Sequence, residues 1–596
     1  MTIGDYSRDD QVMTSSWVLS SFSGGIGVDY ASLPRDQDRY YFGTLDPRYN
    51  RQLTLAPRVH KVTSVGPADV MIDFNTLLYY TVGTNIYRWN ETTQTSSVVG
   101  PSLPAIATGI AVYFGKLFIL TGAGLVQYVS ATNAWTVFTN APGVAMVGWD
   151  GKLFRLTQSN DIYWSIDPAA TSTNENPTWE YGGFLPLPGG YARQLIIYYD
   201  LMQEPVIFAI TRVGAWAYNF DAQSFIRTAL TYPALQEAGD GASEWRGELR
   251  VPAGPEGYQF NNNVVSIVGP NRDDGLPESY RGNIEDFVPG HAFHYCTMTV
   301  PATGTEPAAG DFYGTMPLDI SVTDDTAFLS PSANKGLVLV SPGSSWHVAH
   351  IDNDVGSRMG AALVADIQGT HRLWFTNGNG LFWIDAPVGL HNPLQSPTVD
   401  YQPSGFLDTF WFDAGWQELP KLALSLEIFA ENVDNDNYME FWIAWDEDDT
   451  WEPLGAVTSN GRTSINIGGT EGRLFLSCKL RITMHRGNDV FRTPVMRNGI
   501  FTFTRQPRKL WGWQATIRLS EEYHGRTVRD MYDELVAISE SQSAGTLNFE
   551  DDSGIIREVR VLVSQVNSSI GTGTESRGQF VLSLIETDQQ PYERTT

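Results

Sequence analysis

A short apolar strand that ends in threonine recurs along the first two-thirds of this chain. Leu77-Leu78-Tyr79-Tyr80-Thr81, Leu117-Phe118-Ile119-Leu120-Thr121 and Leu153-Phe154-Arg155-Leu156-Thr157 carry the pattern. A polar or glycine turn follows each, then an aromatic strand: Ile86-Tyr87-Arg88-Trp89, Leu125-Val126-Gln127-Tyr128 and Ile162-Tyr163-Trp164. Further copies read Ile207-Phe208-Ala209-Ile210-Thr211 with Ala215-Trp216-Ala217-Tyr218, and Leu373-Trp374-Phe375-Thr376 with Leu381-Phe382-Trp383-Ile384. Thr81, Thr121, Thr157 and Thr211 stand 40, 36 and 54 residues apart, and Ser341, closing Leu337-Val338-Leu339-Val340, precedes Thr376 by 35. A hairpin at this short, near-constant period is the mark of a β-propeller, in which no blade buries enough surface alone and the ring supplies the core. An array of β-sandwiches would carry similar hairpins, but with a less regular short period.

Composition agrees with an all-β reading. The 596 residues include 12% aromatics, 18 Trp, 56 Gly and 32 Pro, which supply strand-filling rings and tight turns. Lys and Arg number 39 against 67 Asp and Glu, a net charge of −28 that argues against polyanionic partners such as nucleic acid or an anionic membrane. No apolar run approaches the ~18–20 residues of a membrane-spanning helix. Met1-Thr2-Ile3-Gly4-Asp5-Tyr6 has no secretory-signal pattern, so no membrane insertion is expected. Cys296 and Cys478 read as two buried thiols rather than a disulfide framework.

The reading divides the chain into an N-terminal arm (1–45), a propeller of about five to seven blades (46–400), a sandwich (401–508) and a final α+β unit (509–596). Within the propeller, residues 234–334 break the rhythm and are rich in Gly, Pro, Asn and Asp, an irregular insertion that reads as degenerate blades or an inserted subdomain. Leu422–Ile428, Glu440–Trp445, Arg473–Leu480 and Gly499–Thr504 alternate apolar and polar residues, as antiparallel sandwich strands do. In the last unit, Trp511–Leu519 alternates as a strand, and Gln506-Pro507-Arg508 reads as the hinge before it. Thr527 and Asp530 form a capping-box-like pair ahead of Val528, Met531, Tyr532, Leu535 and Ile538 at helical spacing. Strands around Thr546–Phe549, Val559–Val563 and Phe580–Leu584 complete a β-α-β-β-β order.

Motifs with chemistry are scarce. There is no G-x-S-x-G elbow, H-E-x-x-H zinc helix, phosphate loop or repeated S-x-D-x-G-x-T-W turn. Gly571-Thr572-Gly573-Thr574-Glu575-Ser576-Arg577-Gly578 lies between strands and reads as a hairpin loop. His291, His294 and Cys296 offer zinc donors without a nearby fourth ligand, so packing around Phe293 and Tyr295 is the expectation. Glu431, Asp434 and Asp436, with Asp446, Glu447, Asp448 and Asp449, carry the oxygen ligands calcium uses. They read first as solvated acidic hairpins, and calcium is the one cofactor they raise. Trp445 and Trp451 read as sandwich filling rather than sugar platforms. No catalytic, cofactor-binding or metal-binding residue is assigned.

The C-terminal unit resembles the split-barrel domain of tailed-bacteriophage tail-tube and distal-tail proteins. The likeness is carried by Trp513–Leu519, the capped helix Thr527–Ser541, Gly545–Gly554, Glu558–Val563 and Gly578–Glu586. The sandwich is similar to phage tail modules at Thr450–Gly455 and Arg492–Met496. The resemblance spans roughly the last third of the chain and lies at the level of element order. It implies a non-enzymatic virion protein of the tail tip or baseplate, made in the host bacterial cytoplasm. Its C-terminal domain would form a hexameric or trimeric ring with other tail proteins, and its propeller would meet subunits or a host-surface glycan or protein. A simple distal-tail protein carries its split barrel first, whereas here it is last. Two other readings stand beside this one: a carbohydrate-active propeller, glycosidase or lectin, and a tail nozzle or adaptor component.

Overall fold

The computed structural model describes residues 14–30, 38–49, 51–139, 141–168, 179–186, 192–199, 203–235, 238–270, 276–302, 334–386, 392–417, 419–448, 450–469 and 472–505. Beyond them it describes 527, 530 and the backbone of 512–519, 546–550, 556–569 and 577–586. The described residues are almost entirely strand and turn, with three short 3-10 helices. The chain separates into two compact units, one made chiefly of 16–503 and one chiefly of 504–596.

The larger unit holds a seven-bladed propeller. Blades 1, 2 and 5 (71–98, 107–138 and 243–267) are four-stranded antiparallel meanders, and so is blade 6 (283–352). Blades 3 (145–184) and 4 (192–231) are meanders too, joined at their outer edges by one parallel bridge, Phe184 to Ser224, into an eight-stranded sheet. The first strand of every blade touches those on either side, and that of blade 7 returns to blade 1, which closes the ring. Blade 7 takes three strands from 359–385 and its fourth from the N-terminal side, where Val59–Lys61 pairs with Phe382, Trp383 and Ile384.

The recurring threonine has a local cause. Thr121 Oγ1 donates to the carbonyl of Gly124 at 2.9 Å and accepts the Ala123 N–H at 3.2 Å, and Thr211 repeats both bonds with Gly214 and Val213. The hydroxyl therefore ties together the turn between the second and third strands of a blade. Between blades, apolar faces interlock. Phe118 and Leu120 of blade 2 meet Leu153 of blade 3, and Phe154 and Leu156 meet Leu195 and Ile207 of blade 4. Each fully buried side chain of this size contributes about 1.5–3 kcal/mol.

Two features differ from the sequence reading. Of the two readings of 234–334, the described residues favour blades over an inserted subdomain: 243–267 form blade 5 and 283–300 the first half of blade 6, while 303–333, between its second and third strands, lie outside the described residues. Blade 5 hid because its central turn is Ala253-Gly254-Pro255-Glu256, where Gly254 at φ +68° replaces the threonine device. The described parts of the arm, 14–30 and 38–45, are no separate piece either. Thr14–Leu19 lies beside Val495–Arg505 in one sandwich sheet, and Phe42–Gly43 pairs with Ser404–Asp408 in the other. The sandwich shares one apolar core with blade 6, in which Leu339, Cys296 and Met298 join Leu407, Leu480 and Phe501. Cys296 and Cys478 are buried, free thiols within it.

Gly183 shows how close the outer strands of blades 3 and 4 come. Its φ is +112°, and a Cβ built there would lie 1.7 Å from the Gln223 carbonyl oxygen. Gly183→Ala is expected to lower stability by about 2–4 kcal/mol through strain and displaced strands, measured by urea unfolding.

In the C-terminal unit, four antiparallel strands run in the order Gly512–Leu519, Arg577–Glu586, Ile556–Ser569 and Thr546–Glu550. Thr527 and Asp530 form the reciprocal cap: the Asp530 N–H donates to Thr527 Oγ1, while the Thr527 N–H and hydroxyl donate to Asp530 Oδ2 at 3.1 and 2.7 Å. Apart from these two, the helix read over 527–541 lies outside the described residues, as do the hinge 506–508, the turn 551–554 and most of the loop 571–578.

Candidate functional site: the acidic flank of the propeller channel

First strands line the axis of a propeller, so polar side chains on them face its channel. In blade 6 two acids stand side by side within the strand Asn283–Pro289, and the register slips between Ile284 and Asp286. Such a bulge turns consecutive side chains out of strict alternation. Glu285 Oε1 accepts the Thr299 hydroxyl at 2.6 Å, and Oε2 lies 3.8 Å from Arg358. Asp286 Oδ2 accepts the Ala362 N–H of blade 7 at 3.0 Å, tying two first strands together.

The connection between blades 4 and 5 brings the third carboxylate. Gln194 holds the entry to blade 5, its amide donating to the Ala242 carbonyl and accepting the Ala242 N–H, each at 3.0 Å. This clamp sets Asp240 3.9 Å from Arg193. Gly241 lets the segment pass: at φ +64°, a Cβ there would lie 2.5 Å from the Asp286 Cα. Burial pushes the Asp286 carboxyl up to about 8, and the charges of Asp240 and Glu285 add to the rise against the Ala362 N–H. A carboxylic acid is thus held protonated at neutral pH beside a carboxylate paired with arginine. That arrangement can donate a proton.

Two serine–histidine pairs in blades 5 and 6 are built with the opposite polarity. His294 Nε2 lies 3.3 Å from Ser243 Oγ, but its Nδ1 faces the Arg250 guanidinium at 3.0 Å. An arginine only donates, so Nδ1 must accept and Nε2 must carry the proton, which leaves no base for the serine. Ser345 spends its hydroxyl proton on the Ser23 carbonyl, while His347 lies between Ser345 and Tyr40. Burial keeps His347 neutral, with its pKa lowered to about 3. Neither pair is a nucleophile.

The candidates read from the sequence are dispersed. His291 is exposed, His294 faces Arg250, and Cys296 sits in the apolar core, where burial pushes its thiol well up. Glu431 pairs with Arg497 at 2.7 Å and Asp434 with Arg492 at 2.5 Å, while Asp446 accepts the Leu476 and Ser477 N–H groups. Asp449 lies outside the described residues. Among the described residues no three His, Cys, Asp or Glu side chains are grouped to hold a metal ion. Trp445 is buried, and Trp451 lies beneath Arg481, whose guanidinium is 4.2 Å from the ring. Asp240, Glu285 and Asp286 were missed because a strand of blade 6 and the distant connection between blades 4 and 5 assemble them; the one local signal was the acid pair inside a strand.

A second polar group lies where sandwich and propeller meet. Arg48 grips Asp46 through Nε and Nη2 at 2.8 and 2.7 Å. Burial works to raise the Asp46 carboxyl, but Arg48 overrides it and holds the pKa below its usual value. Asp46, Arg48, Tyr49, Tyr295 and Asp385 are among the walls of a cavity of about 30 Å³, room for about one water molecule.

No protein-family model and no curated protein matches the chain. Similar solved structures include YCF48 bound to a peptide, with 11% identity over 57% of this chain and 97% of that one at a TM-score of 0.35. A mitotic checkpoint complex gives 10% identity over 56% and 96% at 0.37, and an ancestral GH74 enzyme 10% over 57% and 47% at 0.36. The propeller assignment itself rests on the strand pairing and ring closure above. By fold, the chain is a β-propeller protein with an attached sandwich and a separate C-terminal β-sheet unit.

Proposed function

We propose that the chain is a structural protein of a bacteriophage tail tip or baseplate, assembling through its C-terminal unit and presenting the propeller to other tail subunits or a host surface. The observation that carries this reading is the C-terminal sheet order with its reciprocal Thr527–Asp530 cap. It supports the split-barrel resemblance of that segment, and symmetric assembly multiplies a modest interface. The propeller supplies a rigid rim of loops, and the net charge of −28 suits protein or glycan partners rather than the genome. Light scattering over a concentration series is expected to give a trimer or hexamer, reduced to monomer when residues 509–596 are removed and the propeller still melts cooperatively. A full-length chain that stays monomeric at every concentration, alone and with tail subunits, would count against it.

Asp286 favours a second reading, hydrolysis of a host glycan in the channel. A carboxyl held protonated near pH 7 beside a second carboxyl group, Asp240, is the kind of pairing from which a glycosidase draws its acid and its base or nucleophile. Release of aryl leaving groups from glycosides, lost in Asp286→Asn by about 100-fold or more, would support it. No turnover across a glycoside panel by a folded chain would remove it.

A further inference from the structure

Blades 2 and 3 each carry, on the faces that pack together, a buried donor without an acceptor. Leu153 and Trp179 of blade 3 share an interblade core with Leu125 of blade 2, and strand alternation places Arg155 on the face of Leu153 and Gln127 on that of Leu125. Gln127 pairs with Phe118, three residues before Thr121, and Arg155 stands two before Thr157, so both lie at nearly the same height in adjacent blades. Arg155 is 2% exposed and Gln127 3%. The Arg155 guanidinium donates through Nη1 to the Pro142 carbonyl at 2.5 Å, and its carbon lies 4.9 and 4.7 Å from the Tyr163 and Trp179 rings. Its Nε–H and the Gln127 Nε2 amide have no acceptor.

The neighbouring cases make this unusual. Arg250 and Arg372, buried to a similar depth, pair with Glu248 and with Glu91 and Asp385. Among the described residues, Arg155 has no such carboxylate. Burial lowers its pKa to about 10. Buried charges in proteins are paired, because an unpaired one forfeits its hydration without return. Aromatic faces and one carbonyl compensate only part of that loss.

We propose that the Arg155 Nε–H and the Gln127 Nε2 amide bind a small monoatomic anion of the halide class, locking blade 2 to blade 3. An ion rather than a molecule is indicated because Leu125, Leu153 and Trp179 seal both donors from solvent. An anion rather than water is indicated because water accepts hydrogen bonds but leaves the positive charge uncompensated. The site does not depend on the function proposed above.

The test uses the full chain melted at pH 7 and fixed ionic strength in sodium chloride and in sodium gluconate, whose anion is too large for the interface. The melting temperature is expected to be about 3 °C or more higher in chloride. Arg155→Met and Gln127→Leu are each expected to melt alike in the two salts. A bromide-soaked crystal of the unmodified chain is expected to show an anomalous peak beside Arg155 Nε, a readout that needs no variant to fold. Equal melting of the unmodified chain in both salts, a chloride effect that persists in either variant, or no peak between blades 2 and 3 would overturn the proposal.

Discussion

Asp286→Asn is expected to stabilise the propeller, and increasingly so as the pH rises. The carboxyl titrates near 3.8 when unfolded and at about 8 when folded, because burial and neighbouring Asp240 and Glu285 disfavour its charge. A group whose folded pKa is raised contributes fully below its unfolded value, and that contribution is lost as pH climbs through the folded one. The window therefore opens near pH 4 and closes near pH 8. The full shift corresponds to an upper bound of about 6 kcal/mol. Asp286 is only half-buried, so solvent and relaxation reduce the expected gain of the asparagine variant at pH 8 to about 2–3 kcal/mol. The amide oxygen can still accept the Ala362 N–H. Urea unfolding at pH 4, 6 and 8 measures it: the two proteins should coincide at pH 4 and diverge above. A constant difference at all three values would show that Asp286 is ionised in the fold. Such a cost retained in a natural sequence accords with a use for the protonated acid.

Arg48→Ala is expected to be the most damaging single change at the junction of sandwich and propeller. Its loss strands the buried Asp46 carboxylate, which is 3% exposed. Breaking one side of a buried pair costs about 3–5 kcal/mol, whereas replacing both sides by apolar groups is often neutral. Asp46→Leu with Arg48→Met is therefore expected to recover most of the stability, measured by the shift in urea midpoint. Equal losses in the single and double variants would show that the backbone of this segment, not the charge pair, holds the junction. The pair matters beyond its own contacts because the same segment continues to Val59–Lys61 and closes blade 7. On the way, Arg58 N–H donates to the Asp400 carbonyl, and His60 pairs with Asp400 at 2.9 Å while stacking on Trp383. Arg372 covers Trp383 at 3.6 Å and reaches Glu91 of blade 1. Sandwich docking and ring closure are thereby mechanically linked.

The blades that could be read from sequence are those whose information is local. Threonine at the end of a strand serves its own turn at Thr121, Thr157 and Thr211, three or four residues away, so these hairpins were legible from their own neighbourhoods; Thr81 instead donates to Asp69, which also accepts the Gly83 N–H of that turn. Blade 5 turns through Gly254 instead and did not show the period, and blade 6, with 303–333 between its inner strands, showed it only through its third strand, ending at Ser341. The placing of Cys296 and Cys478 in a core was equally readable, because a lone thiol among alternating apolar residues has few other places to go.

Ring closure and the channel acids were decided at longer range. Val59–Lys61 is three residues long and meets a partner more than 300 positions away, a pairing with no local signature. Asp286 acquires its character from burial and from repulsion by Asp240 and Glu285, brought to it from the connection between blades 4 and 5 and from its own strand. Periodicity and turn chemistry act within a few residues, and they determined that this chain would fold as repeated four-stranded units. Which units became neighbours, and which side chains lost their water in doing so, depended on contacts between distant segments, where burial and Coulomb interactions are set by the assembled ring alone.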